Sequence, residues 1–157
     1  MFTKSLKFIM SLLCRNRGAD YEYIKNLHGD LTNGYHTVEF FNYAAVIPGS
    51  GTSDPTEDDA TSNTFISTLT YISGNTKTYS TNYSSGYIFS VTTTYKNTTD
   101  APIEVTELYL IGSKNDLTVP EMLDTGNYGM ETMLIHEKLD EPVTLQPGET
   151  YAFTLQY

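Results

Sequence analysis

Regular alternation of apolar and polar positions is the dominant pattern of this chain, and it is clearest near the end. Large apolar or aromatic residues occupy every second position of residues 151–157 and, with Thr93 as the one exception, of residues 87–96. Residues 103–112 begin with the same alternation and then become apolar on both faces. A period of two is the side-chain period of a β-strand. The pattern therefore predicts three strands. The strand over residues 103–112 is expected to be buried on both faces towards its end.

Turn residues separate these runs from each other and from further strand-like segments. Pro147-Gly148 fits the central pair of a type II turn, because proline fixes φ and glycine accepts a positive φ. We therefore predict an antiparallel hairpin between Val143–Leu145 and Tyr151–Tyr157. Residues 64–72 and 78–83 are predicted as two strands joined by a turn at residues 73–76, and residues 37–47 as a strand that ends at Pro48-Gly49.

The predicted elements define the fold class. About seven or eight strands at roughly ten-residue spacing, with no helix between them, are typical of an antiparallel β-sandwich or jelly roll. The expected fold is therefore all-β, a β-sandwich or jelly-roll-like domain over residues 37–157. Residues 18–36 have no clear period and are expected to form an extended linker.

The first residues follow a different period. Apolar side chains recur at i, i+4, i+7 and i+11, namely at Phe2, Leu6, Ile9 and Leu13. This spacing predicts an amphipathic helix of about three turns. The expected organisation is thus a basic helical arm over residues 1–17, standing outside the β domain.

A secretory leader is the alternative interpretation of the same segment. Two lysines precede the apolar run of residues 8–14, but no small-x-small cleavage site follows, and Leu12-Leu13 lacks the small residue expected before a lipid-modified Cys14. The run is also too short to span a bilayer. We expect an arm, with no membrane span, and a secreted protein remains the alternative.

Composition supports the all-β prediction. The 157 residues include 13 Tyr and 7 Phe but no Trp, and only 18% are charged. Tyrosine and threonine suit half-exposed pleated surfaces. A single cysteine excludes an internal disulfide framework, so stability is expected to come from core burial, to which oligomerisation can add.

Charge is distributed unevenly along the chain. Residues 1–25 carry five basic and two acidic side chains, and the remaining residues carry four basic and seventeen acidic ones, for a net charge of −10. An acidic body would repel phosphates, so direct nucleic-acid binding by the β domain is not expected. The basic arm fits an acidic partner surface, a membrane or nucleic acid, and a merely solvated helix is an equal alternative.

No catalytic, metal or cofactor site is predicted. The acidic run over residues 54–59 lacks the spacing of a calcium loop, and His28, His36 and His136 lack the spacing of zinc ligands. Neither a nucleophile elbow nor a phosphate loop is present in the sequence. Three strand glutamates are expected to face outward, with a carboxylate pair as the alternative: Glu104, Glu107 and Glu137.

Tyrosine is the residue type that suggests a binding surface. Rigid amphipathic rings suit the recognition of carbohydrate or protein, although tyrosines half-buried on a sheet are the commoner case. The candidates are Tyr71, Tyr79, Tyr83, Tyr87, Tyr95 and Tyr109.

Four motifs, spread over residues 45–157, resemble those of small bacteriophage virion structural proteins. Residues 47–52, followed by Asp54-Pro55-Thr56 and by Asp59, resemble the Gly-Thr-Gly-Thr-Thr-x-Pro loop of tail- and head-associated proteins. Residues 94–99 with 103–110 are similar to their Asn-x-Ser/Thr and Ile-x-Ile-x-Glu strand, although Leu108-Tyr109 replaces an apolar-Gly pair. Residues 133–137 take the place of Leu-Leu-Ala-Arg without the arginine, and residues 142–150 fit the last motif closely.

The resemblance implies a β-sandwich virion component without catalysis. We therefore expect a head-, collar- or tail-associated assembly or decoration protein, located in the virion and homo-oligomeric in the particle, which docks on other virion proteins through its arm. The expected partner-binding residues are Phe2, Lys4, Leu6, Lys7, Ile9, Leu13, Arg15 and Arg17. The alternative is a secreted or cell-surface carbohydrate- or protein-binding β-sandwich module.

Overall fold

The computed structural model describes residues 1–3, 43–59, 64–82, 86–113 and 131–156, and all regular structure in these ranges is β. The six strands are β1 (Tyr43–Gly49), β2 (Leu69–Asn82), β3 (Gly86–Asn97), β4 (Ile103–Ser113), β5 (Thr132–Leu145) and β6 (Thr150–Gln156). The all-β prediction is confirmed for these residues. They contain no helix that could cross a membrane.

The strands form two antiparallel sheets of three strands each. One sheet has the order β1-β4-β5 and the other has the order β2-β3-β6. Apolar residues from both sheets form one buried cluster, in which Val46, Val91, Ile111 and Leu134 are fully inaccessible. The sheets are also joined by hydrogen bonds, because Tyr95 Oη donates to Val46 O at 2.8 Å and Val46 N donates to Thr93 Oγ1 at 2.9 Å.

The pattern of burial follows the alternation in the sequence. Phe153 and Leu155 of β6 are buried, whereas Ala152, Thr154 and Gln156, which alternate with them, are exposed. Residues 107–112 of β4 are buried without a break. Both parities of this half of the strand are therefore buried, and the prediction that it is buried on both faces is confirmed.

The predicted hairpin is wrong in its pairing, although its turn is present. Gly148 has a φ of 81°, and Glu149 N donates to Gln146 O at 3.0 Å, as expected for a type II turn. However, β5 pairs with β4 and β6 pairs with β3. The turn instead carries the chain from one sheet to the other. Asn97 O stabilises it in this position by accepting a hydrogen bond from Gly148 N at 2.8 Å. A turn motif fixes local backbone geometry but does not select the strand partner.

The predicted turn at residues 73–76 is also corrected. β2 is continuous from Leu69 to Asn82, and its pairing with β3 shifts in register between Tyr71 and Ser73 and between Ser73 and Thr76. A bulge absorbs extra residues within a strand and favours the same small and polar residues as a turn. The two predicted short strands therefore form one long strand.

Met1–Thr3 lie in an extended conformation beside β5. Phe2 forms an antiparallel bridge with Ile135, and Thr3 N donates to Leu134 O at 3.1 Å. Thr3 is fully buried, and its hydroxyl donates to Met133 O at 2.8 Å. The predicted helix and linker otherwise fall on residues 4–36, which lie outside the described residues.

Candidate functional site

The most unusual group in the described structure is the buried carboxylate of Glu107 on β4. Only 1% of this residue is exposed. Its Oε1 accepts hydrogen bonds from Gly51 N at 2.7 Å, from Tyr109 Oη at 2.6 Å and from the Thr64 hydroxyl. Its Oε2 lies 2.9 Å from Nε2 of His136. A charge is buried at low cost only when it is paired and hydrogen-bonded, and this carboxylate meets both conditions.

His136 lies on β5 and is positioned by the sheet register. It is directly opposite Tyr109, so Glu107 is its diagonal neighbour on the same face. Its ring stacks on that of Tyr109 with a centroid separation of 4.4 Å and an angle of 23°. Its Nδ1 lies 2.5 Å from Oδ2 of Asp59. Both ring nitrogens therefore face carboxylate oxygens, and the trio forms a chain Asp59–His136–Glu107, called the clamp below.

The electrostatics of the clamp favour ionised carboxylates. Burial raises the pKa of Glu107, but hydrogen bonds from Thr64, Tyr109, His136 and Gly51 outweigh it and hold the pKa below its ordinary value. Burial likewise raises the pKa of Asp59, and hydrogen bonds from Thr56 and His136 lower it further than burial raises it. With both carboxylates ionised, both ring nitrogens of His136 face hydrogen-bond acceptors.

The clamp fixes residues 50–59 against β4. Gly51 N donates to Glu107, and Thr106 Oγ1 donates to Gly51 O at 2.6 Å. Only glycine permits this close approach, because a Cβ at Gly51 would lie 2.6 Å from Cδ of Glu107 and one at Gly49 would lie 2.6 Å from Cε2 of Tyr109. The two glycines thus allow the loop backbone to contact the carboxylate directly.

Further contacts hold the rest of the loop. Asp59 accepts hydrogen bonds from Thr56 N at 2.9 Å and from Thr56 Oγ1 at 2.7 Å. Lys138 Nζ, on β5, donates to Thr52 O at 3.0 Å and to Asp54 Oδ1 at 2.8 Å. The hydrogen bond and charge of Lys138 lower the pKa of Asp54, but this pair is exposed and contributes little to stability.

The geometry of the clamp suits a structural role. Both nitrogens of His136 and both oxygens of Glu107 are occupied by protein partners, so neither side chain presents a free position to a substrate. The acidic run does not converge on one point, since Asp54 contacts Lys138 and Asp59 contacts His136. Across the described ranges, no three His, Cys, Asp or Glu side chains are arranged to hold a metal ion.

The sequence-predicted glutamates and arm residues have different outcomes. Glu104 is exposed, as expected, but the expectation that Glu107 faces outward is wrong, because Thr64 and residues 50–59 cover that face. Phe2 lies beside β5 and is 37% exposed. The other predicted partner-binding residues lie outside the described residues: Lys4, Leu6, Lys7, Ile9, Leu13, Arg15 and Arg17.

The sequence singled out each clamp residue separately but did not indicate that they meet, although one signal existed. Glu107 shares the parity of Val105, Tyr109 and Ile111, which are all buried. A carboxylate that shares the parity of buried apolar residues requires a partner. The parity of β4 thus indicated that Glu107 has a partner, but only the fold shows that His136 and Asp59 meet there.

Comparison with known proteins gives no family assignment. The chain matches no protein-family model, no curated protein and no solved structure.

Proposed function

We propose that this chain is a non-enzymatic structural component of a bacteriophage virion, associated with the head, collar or tail. Its β domain would form a β-sandwich body, and its basic N-terminal arm would dock on other virion proteins. One observation carries the proposal: the sequence motifs that resemble phage proteins, although distant along the chain, contact one another in the fold.

Three of the four motifs meet at the clamp. The loop motif supplies Gly51 and Asp59, the strand motif supplies Glu107, and the third motif supplies His136. Gly51 N lies 2.7 Å from Oε1 of Glu107 across 56 positions of sequence, and His136 Nδ1 lies 2.5 Å from Oδ2 of Asp59 across 77 positions. His136 stands in the motif that usually has an arginine, and it supplies the basic partner of Glu107.

The fourth motif contacts the second one at the other end of the same strands. Asn97 is fully buried, and its Nδ2 donates to Leu145 O at 2.9 Å and to Ala101 O at 2.8 Å. Its backbone carbonyl accepts Gly148 N, as described above. Contacts of this kind are expected if the four motifs are parts of one inherited structure.

The hydrogen bonds that tie the clamp residues to one another and to the loop fit a rigid assembly module. A virion wall needs surface loops of fixed shape, and here a buried ionic network holds residues 50–59 in place. The rival carbohydrate-binding module gains no such support, because two of the six candidate tyrosines, Tyr95 and Tyr109, are 2% exposed and belong to the core. Tyr71 is half-buried and packs against the same core.

The direct experiment is to locate the protein. Particles of the phage or prophage that encodes this chain are purified on a density gradient, and its peptides are quantified by mass spectrometry against the major capsid protein. We expect the chain to sediment with the particles at a constant ratio. Recovery from the medium or the cell envelope, with none in the particles, would refute the proposal.

The arm is tested by changing its charge without disturbing the contact of Met1–Thr3 with β5. The variant replaces Lys4, Lys7, Arg15 and Arg17 with glutamine, and its control replaces the exposed Glu104 with glutamine. We expect the first protein to fold but to be lost from particles, and the control to be incorporated normally. Normal incorporation of both would contradict docking through the basic arm.

A further inference from the structure

Among the described residues, nothing protects the outer edge of β6 in the way that exposed strands are usually protected. β6 pairs with β3 along its whole length without a bulge, and among the described strands none lies on its other side. Its seven residues, TYAFTLQ, contain no charge and no proline. Natural edge strands are normally protected by lysine, proline, a bulge or a covering segment, because unpaired backbone groups invite another strand.

The other described edges are each partly protected. Met1–Thr3 cover residues 134–136 near the start of β5, and the bridge between Gly49 and Phe65 covers one end of β1. β2 is interrupted by two register shifts. The later part of β5 contains Asp140, Glu141 and Pro142. Within the described part of the chain, β1 is also regular and neutral but contains Pro48, so β6 alone is regular, neutral and free of proline.

We propose that β6 pairs antiparallel with β6 of a second copy of this chain, which joins two three-stranded sheets into one of six strands. When Thr150–Gln156 of one copy pair along their whole length with the same residues of the other copy, the two-fold axis passes through Phe153. Thr154 of one copy then lies opposite Ala152 of the other, and Tyr151 lies opposite Leu155. Such an interface is self-complementary, as a two-fold dimer requires.

Its neutrality makes this edge the strip at which two acidic copies can meet. Each copy has a net charge of −10, so two copies repel each other over most of their surfaces. β6 offers a neutral strip along which two acidic proteins can approach. The 40% exposed Tyr151, whose ring lies 4.7 Å from that of Phe153, would be covered by Leu155 of the second copy. The inference does not depend on a virion role and would apply to any function.

A matched pair of variants tests the interface. Thr154→Glu places a charge on the edge, and Thr92→Glu places the same charge on the paired residue of β3, one strand further in. Both variants lose the Thr92–Thr154 hydrogen bond of 2.8 Å and change the net charge equally. Two glutamates at position 154 would be diagonal neighbours across the axis, about 7–8 Å apart. Those at position 92 would be more than a Debye length apart at physiological salt.

Sedimentation velocity over a wide range of concentrations gives the result. We expect the wild type to dimerise, Thr154→Glu to weaken the dimer at least about tenfold, and Thr92→Glu to leave it nearly unchanged. A monomeric wild type, or equal effects of the two variants, would overturn the proposal. Either result would be expected if another segment of the same chain covered β6.

Spin labels provide a second measurement that does not rely on a disruptive charge. Cysteines are introduced singly at Thr154 or Thr92 in a Cys14→Ser background, and label separations within the dimer are measured by pulsed electron paramagnetic resonance. The labels at position 92 should be further apart by two strand spacings, about 10 Å. Equal separations, or a larger separation at position 154, would refute pairing through β6.

Discussion

Replacing Glu107 with glutamine is the sharpest perturbation of the clamp, because it removes the charge and keeps the shape. The glutamine oxygen can still accept from Gly51, Thr64 and Tyr109. Its amide nitrogen then faces Nε2 of His136, so a donor replaces the charged acceptor at that contact. The substitution therefore removes one buried ionic contact, of 2.9 Å in the wild type, and leaves the other contacts in place.

The expected cost follows from that single loss. A hydrogen bond to a charged group contributes about 1.5–3 kcal/mol, and breaking a buried ion pair costs about 3–5 kcal/mol. Because the remaining donors keep an acceptor, we expect a loss of about 3 kcal/mol in the free energy of unfolding. That is a large part of the 5–15 kcal/mol, roughly, that stabilises a typical domain.

Urea denaturation, followed by far-ultraviolet circular dichroism, measures this loss. The matched control is Glu104→Gln, which makes the same substitution at an exposed position of β4 and should change stability by less than about 0.5 kcal/mol. In thermal unfolding, Glu107→Gln should lower Tm by about 6–12 °C. Equal stability of the two variants would refute the claim that Glu107 stabilises the fold.

The effect should also depend on pH in a defined direction. The pKa of Glu107 is lower in the folded protein than its ordinary value of 4.5. Its contribution is therefore fully present above pH 4.5 and is lost as the pH falls through the lower folded pKa. The stability difference between wild type and Glu107→Gln should shrink in this acidic range. A difference that stays constant from neutral pH into the acidic range would contradict the assignment.

Three further substitutions test the loop and the turn. Gly51→Ala brings a Cβ against the Glu107 carboxyl and should cost about 1–3 kcal/mol in urea denaturation, whereas Ser53→Ala in the same loop should be nearly neutral. Gly148→Ala should cost about 1–2 kcal/mol because φ is positive there, and Gly148→Asn should cost less; equal costs would exclude backbone strain as the cause. Asn97→Ala leaves buried carbonyls without donors and should cost about 2–4 kcal/mol, in contrast to a near-neutral Asp100→Ala.

The sequence predicted the strands well because their signals are local. The alternation in β3, β4 and β6 reports which side chains face the core, and burial drives the chain to obey it. Strand pairing is not encoded locally. The turn at Pro147-Gly148 was recognised from its residues, but whether it joins two strands of one sheet or crosses to the other depends on Asn97, which is some fifty positions earlier.

The candidate site was harder to predict than the fold because its members are far apart in sequence. His136, Asp59 and Glu107 have no common motif spacing, and each one alone is an ordinary polar residue. They meet because the register of β4 with β5 places His136 opposite Tyr109, and because two glycines let the loop approach. A prediction from the sequence would have required the strand partners and their register, which the local pattern does not contain.

Amide hydrogen exchange at Gly51 tests the central claim, that the clamp fixes the loop against the sheet. Gly51 N donates to a carboxylate that is 1% exposed, whereas for the amides of Thr52 and Ser53 the described residues provide no acceptor. We predict that Gly51 exchanges about a hundredfold more slowly than these neighbours, and that Glu107→Ala removes the difference while the amides of β3 stay protected. Exchange at Gly51 as fast as at Ser53 in the wild type would contradict the account.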